Sequence, residues 1–294
     1  MPTFIIHGII QGAVIGLIAI GIVLTYKGAK VFNFAQAEFG TIAAFLLLYL
    51  SDGRLPYPAA WVASLVLVGV IGWLFERLIV RPLFAAPRVT LLVATAGFTT
   101  LAIGLELIIG GVTQHQLDAL IPGTALSLFN QVITWQQMLT LAIFAGLAAA
   151  LSYFFSKTDL GLAVLATSQE PVATELVGIG TKKMSSFIWT FSALLGGLAG
   201  LLQAPEFPFA AGFMSSGFLL SGFAAAVVGG ITSLTGAFVG GMLIGISRKV
   251  VEYLDFRYVE GNHIIIPGLP ELVVFILLIS VLYARPAGLL GKEA

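Results

Sequence analysis

The stretch from Phe4 to Tyr26 contains no Asp, Glu, Lys or Arg, and similar runs recur along the whole sequence. A helix needs about 20 consecutive apolar residues to cross the hydrocarbon core of a bilayer. Runs of roughly that kind occur at Phe4–Tyr26, Val31–Leu50, Ala59–Val80, Val89–Gly110, Gln136–Ser156, Met184–Ala204, Leu234–Val251 and His263–Ala284, with a shorter one at Gly217–Ile231. They are continuous and do not alternate at period two, so helices are expected in place of barrel strands. Charged residues make up 10% of the chain, against about 25% in a soluble globular protein. That is too few to clothe 294 residues in water. The expected fold is all-α, a polytopic transmembrane helical bundle of about nine spans whose second and seventh spans are discontinuous.

Several function classes drop out. The chain has no cysteine, which removes disulfides, thiolate metal sites and cysteine nucleophiles. No G-x-x-x-x-G-K-[ST] occurs, so no P-loop cradles nucleotide phosphates. His7, His115 and His263 are scattered without metal-ligand spacing, and nothing resembles a nucleophile elbow. The net charge of zero suggests no nucleic-acid partner. Met1, Pro2 and Thr3 supply no basic n-region, so the first run is expected to be a retained span and not a cleaved signal.

Orientation follows from Lys and Arg in short loops. Alternation through nine spans places Lys27, Lys30, Arg77, Arg81, Arg88, Lys157, Lys182, Lys183, Arg285 and Lys292 on one side, ten of the fourteen cations. That side is expected to be cytoplasmic, with the N-terminus outside and the C-terminus inside. Arg248 and Lys249, near the outer end of the eighth run, oppose this mildly; Arg54 and Arg257 are the other outer cations.

Four features bear on mechanism. Gly8, Gly12 and Gly16 share a helix face, and Gly196, Gly197, Gly200 and Gly236, Gly240, Gly241 repeat the pattern. Small residues at this spacing let helix backbones approach closely in lipid, which implies dense packing and not transport as such. Glu38 follows Asn33 and Gln36 in an apolar setting; an intramembrane carboxylate is either a functional group or a buried hydrogen bond bracing a broken helix. The interrupted segment after Val31 is echoed by Pro205–Pro208 and the short run after Gly217, and paired interruptions point to repeat-like halves, about 1–156 and 184–294. Within the polar connection 157–183, Ser168-Gln169-Glu170-Pro171 resembles a helix start. Val172, Ala173, Leu176 and Val177 then form an apolar stripe, and Gly178 can end the helix. Such a helix needs lipid headgroups or a partner's groove to cover its apolar side.

Val31-Phe32-Asn33-Phe34-Ala35-Gln36-Ala37-Glu38 resembles the (I/V)-N-F-A-(H/Q)-(G/A)-E stretch of branched-chain amino acid ABC permeases of the LivH/LivM type. Phe223 to Ile231, continuing to Gly236-Ala237, is similar to that family's double-glycine segment, and Leu160-Gly161 through Glu170 to Gly178-Ile179 is similar to its cytoplasmic loop. Arg285-Pro286-Ala287-Gly288-Leu289-Leu290-Gly291 resembles its C-terminal ending. The resemblance runs nearly end to end, and the short first loop suits LivH better than LivM. Departures are Gln36-Ala37 where His-Gly is common, Thr232-Ser233 where Gly-Ser is common, and Pro171 in the loop helix.

The resemblance implies a single permease domain, 1–294, with an inverted repeat. It would be one transmembrane subunit of an ABC importer that carries branched-chain amino acids or related small solutes inward; the wider family also serves urea and amides. The implied partners are a second, LivM-like permease, two LivG/LivF-like ATP-binding subunits and an extracytoplasmic solute-binding protein. ATP and Mg would sit on those ATPases, so this chain would be non-catalytic and bind no cofactor. The implied location is the bacterial cytoplasmic (inner) membrane. The translocation pathway would include Asn33, Gln36 and Glu38, carried over by motif, and Ser215, Ser216 and Ser221, inferred from polarity and position. The coupling helix would use Ser168, Glu170, Thr174, Glu175, Leu176 and Gly178. The competing expectations are an autonomous secondary transporter with Glu38 as proton or cation site, and an intramembrane enzyme or scaffold.

Overall fold

The computed structural model describes residues 2–128, 131–260 and 268–291. The start of the last apolar run at His263 and the tail Lys292-Glu293-Ala294 lie outside the described residues. The chain opens with α1 (Pro2–Ala29), α2 (Glu38–Ser51), α3 (Tyr57–Phe75) and α4 (Arg88–Gly110). A hairpin of β1 (Thr124–Leu128) and β2 (Gln131–Thr134) leads into α5 (Trp135–Lys157). Two short helices follow, α6 (Asp159–Gln169) and α7 (Pro171–Leu176), then α8 (Thr181–Gln203), α9 (Phe213–Gly229), α10 (Leu234–Glu260) and α11 (Leu269–Ala284).

Among the described residues, six stretches of helix are long and apolar enough to cross a membrane: Phe4–Ala29, Tyr57–Leu83, Arg88–Gly110, Trp135–Lys157, Thr181–Gln203 and Leu234–Leu254. The shorter apolar helices Glu38–Ser51, Phe213–Gly229 and Leu269–Ala284 occupy the second, seventh and ninth expected runs. The molecule is therefore a predominantly helical, polytopic membrane protein.

Helix α1 is the axis of the bundle: most of it is buried, from Ala13 to Leu24 on every side. Helices α4 and α5, equally apolar, turn most of their surface outward. A helix apolar all round suits either environment, so composition alone does not separate them. The glycines do. A Cβ at Gly8 would lie 2.7 Å from Ile246 Cα, and one at Gly12 would lie 3.0 Å from Gly241 O, so α1 packs backbone to backbone on α10. Gly200 of α8 opposes Gly40 of α2 in the same way.

Loop contacts sort the two ends of the bundle. Arg81 reaches Lys182 O and Ser186 Oγ, Lys27 lies over the Phe155 ring, and residues 285–291 pack on Gly229 and Gly230. These contacts gather the Lys- and Arg-rich connections at one end. At the other end Tyr57 donates to Asp118 O, Gln116 donates to Pro205 O, and His115 pairs with Phe209.

In the polar segment 111–134, β1 and β2 pair antiparallel, with Leu128 opposite Gln131. The structure departs from the sequence expectations in the 157–183 connection and at the end of α10. The connection 157–183 holds two helices. Thr158 accepts from Gly161 N at 3.1 Å and starts α6, so Ser168 lies in the last turn of α6 and is not a helix N-cap. The break comes at Glu170, because the residue before a proline is pushed out of the helical region. Finally, α10 does not stop near Val251 but continues to Glu260.

Candidate translocation and coupling sites

The backbone between α1 and α2 is irregular yet buried, and its polar groups are met from within. Asn33 Oδ1 accepts from Ala35 N at 3.0 Å and Asn33 Nδ2 donates to Gln36 Oε1 at 3.3 Å. Gln36 Nε2 donates to Ser192 O of α8 at 2.8 Å, while Ser192 Oγ donates to Gln36 Oε1 and lies 3.0 Å from Gly21 O of α1. Non-helical backbone at membrane depth is tolerated only where protein or water satisfies it. Here protein does so, and neither Asn33 nor Gln36 has more than 2% of its surface exposed.

Immediately beyond, three side chains from α2 and α4 converge on the amino end of α9. Gly212, the residue before α9, has φ +70 and donates its N–H to Glu106 Oε2 at 3.0 Å. Met214 N donates to Thr41 Oγ1 at 3.3 Å, and Ser215 Oγ donates to Glu38 Oε2. The second oxygens, Glu38 Oε1 and Glu106 Oε1, are buried without a hydrogen-bond partner among the described residues. A helix end presents unpaired N–H groups and a positive dipole, so carboxylates there are stabilising. Glu38 and Ser215 thus meet at one point.

The other serines lie elsewhere. Ser216 bonds back to Gly212 O within α9. Ser221 is buried and accepts from Arg248 of α10, which also donates to Gly217 O at 2.9 Å and pairs with Glu271 of α11 at 2.9 Å.

At the Lys- and Arg-rich end, α7 is short and largely exposed. Thr174 is buried and bonds Glu170 O, whereas Leu176 and Val177 are 84% and 75% exposed. Glu175 accepts from Thr181 Oγ1, and Gly178, at φ +87, turns the chain toward α8. Two adjacent apolar side chains held outward on a capped turn form a surface suited to contact.

A family profile described as the permease component of branched-chain amino acid transport systems matches residues 4–282. The chain belongs to that permease family. The permease LivH of Escherichia coli K12, from a high-affinity branched-chain amino acid transport system, is 28% identical over 97% of this chain and 94% of its own length. BraD of Pseudomonas aeruginosa, a permease of such a system, is 27% identical over 98% and 95%. A probable LivH of Methanocaldococcus jannaschii is 29% identical over 97% and 92%. No solved structure matches.

Two carboxylates of this permease escaped the sequence reading. Glu106 sits in the fourth run and Glu76 in the third. Glu76 is fully buried in a π-helical turn (Glu76–Val80), pairs with Arg81 at 3.0 Å and accepts from Ser186 Oγ of α8 at 2.8 Å. The signal that singled out Glu38, a carboxylate inside an apolar run, applies equally to both.

Proposed function

We propose that this permease is one transmembrane subunit of an ABC importer that moves branched-chain amino acids, or closely related small solutes, into the cell with ATP hydrolysed by partner subunits. The observation that carries this is the match over residues 4–282 to a branched-chain amino acid permease family. The short helices α2, α9 and α11 complete a nine-span layout related as an inverted repeat, in the bacterial inner membrane. The grouping of Lys27, Arg81, Lys157 and Lys182 at one end supports a cytoplasmic end there, with the N-terminus outside.

The coupling element is α7 with its flanks, from Glu170 and Thr174 through Glu175 and Leu176 to Gly178, and Ser168 in the turn before it. Its exposed Leu176 and Val177 suit insertion into a groove on an ATP-binding subunit. ATP and Mg belong to those subunits. The solute path runs past the breaks before α2 and α9, with Asn33, Gln36, Glu38, Ser215, Ser216 and Ser221 as its polar residues. The remaining partners are a second, related permease and an extracytoplasmic solute-binding protein.

The test is reconstitution of this chain with its genomic partners in vesicles. Uptake of leucine, isoleucine or valine that requires ATP on the ATPase side is the expected result. Uptake by this chain without any ATPase, driven by an ion gradient, overturns the proposal in favour of a secondary transporter.

A further inference from the structure

At the end of the bundle away from the Lys- and Arg-rich loops lies a cavity of about 260 Å³ between α1, α5, α8 and α10. It is separate from the Glu38–Ser215 contact, and none of the polar residues proposed for the path lines it. Gln203, at the end of α8, lines this cavity and is only 5% exposed. Gln11 of α1 lines it too, and its Oε1 is buried without a hydrogen-bond partner among the described residues. A buried acceptor left unpaired is costly, so a donor that arrives and pairs with it regains that loss. Gln137, 6% exposed, lines the same cavity and is held in place at both ends of its amide. Its Oε1 accepts from Thr134 N at 3.3 Å and its Nε2 donates to Glu206 Oε2 at 2.8 Å.

The charges on the lining are of opposite sign. Glu206 offers its second carboxylate oxygen. Lys249 uses one ammonium proton on Glu252 Oε2 at 2.7 Å, and an ammonium has three donors. The lining therefore offers acceptors to an ammonium and a donor to a carboxylate. A third part of the wall is apolar, formed by Ile10, Val14 and Leu202. Pockets for drug-sized molecules begin at about 300 Å³, so this cavity suits a smaller solute.

We propose that this cavity binds one zwitterionic amino acid with an aliphatic side chain: ammonium on Glu206 and Gln11 Oε1, carboxylate on Lys249, and side chain against Ile10, Val14 and Leu202. The inference rests on the importer reading for the identity of the solute. It adds a station on the outer side, ahead of the closed segments at Asn33–Glu38, where a solute released by a binding protein is held before the path opens.

The absence of native cysteine makes the test direct. Gln203→Cys is the sole thiol in the chain; in the assembled transporter in nanodiscs, its modification by a small charged thiol reagent is timed without ATP. Leucine is expected to slow modification by about fivefold or more, whereas isovalerate (acid only) and isoamylamine (amine only) at the same concentration leave it unchanged. Adding Lys249→Met to the cysteine variant is expected to abolish the protection. Equal rates with and without leucine overturn the proposal, as does a thiol the reagent never reaches. Equal protection by isoamylamine overturns the zwitterion assignment. ATP-driven uptake by the unmodified transporter is measured separately. Its absence sinks the importer reading, while uptake without protection of the cysteine sinks only the cavity.

Discussion

Glu106 Oε2 accepts the backbone N–H of Gly212 at 3.0 Å, fastening α4 to the amino end of α9 across 106 residues of chain. Gly212 adopts φ +70 there, a conformation in which a Cβ is strained, and an added Cβ would also lie 3.1 Å from Ile103 Cδ1. The two residues together fix where a short helix begins inside the bundle. Glu38 and Thr41 add their bonds to Ser215 and Met214, so α9 is capped by side chains of other helices and not by its own.

The first expected outcome concerns that cap. Glu106→Ala leaves the Gly212 N–H buried without an acceptor, which costs about 1–3 kcal/mol. Glu106→Gln keeps a carbonyl acceptor for Gly212, so it should retain most of the stability. Thermal unfolding in detergent checks this: the alanine variant should melt several degrees lower and the glutamine variant near the parent. Equal melting of both would show that the Gly212 bond does not anchor α9.

A second outcome follows from the meeting of α2 and α8. A Cβ at Gly200 would strike the backbone of Gly40, and neither backbone is the far end of a flexible side chain. Gly200→Leu should therefore separate the helices and sharply reduce folded protein on size exclusion. Gly97→Leu is the control, since a Cβ at Gly97 meets nothing within 4 Å. Loss of folded protein in both variants would point to a cause other than this contact.

The apolar runs were legible in the sequence because lipid imposes a length and a composition on anything that crosses it. The positions of α1, α3, α4, α5 and α8 follow closely from those runs. Long-range polar pairing was not legible. Asn33 and Gln36 were singled out, but Ser192, the partner of Gln36, lies 156 residues beyond it, and nothing local to Gln36 points to it. Helix α6 was missed because the 157–183 connection was read from its most obvious helix start, at Ser168, while the Thr158 cap begins a helix ten residues earlier. The outward-facing apolar surface of α4 and α5 and the inward-facing surface of α1 look alike in composition; only the glycine contacts tell them apart.

A third outcome concerns the π-helical turn. Glu76 is buried, with Arg81 and Ser186 as its partners. Removing one member of a buried pair costs about 3–5 kcal/mol because the other charge is left uncompensated; with the Arg81 side chain 28% exposed, part of that cost is relieved by water. Arg81→Ala should therefore destabilise the protein clearly, and Glu76→Ala less, because the freed Arg81 can turn to solvent. The two melting temperatures in detergent, compared with that of the double variant, decide it. Additive losses would mean that the two residues do not act as a pair.

The last expected outcome concerns α7, where exposure separates stability from function. Leu176 and Val177 are 84% and 75% exposed, so replacing them removes little buried surface from this chain. Surface substitutions of this kind usually change stability by no more than about 0.5 kcal/mol. Leu176→Asp with Val177→Asp should leave the melting temperature of the isolated permease where it was. If these side chains enter a groove on an ATP-binding subunit, two carboxylates there lose apolar contact and meet a desolvation cost. Co-purification of the ATPases should then weaken, and stimulation of ATP hydrolysis by the loaded binding protein should fall by about tenfold or more. Thr174→Val tests the opposite case: Thr174 is buried and bonds Glu170 O, so its effect should appear first in the stability of the turn. Full stimulation by the Leu176→Asp, Val177→Asp variant would remove α7 as the contact between permease and motor.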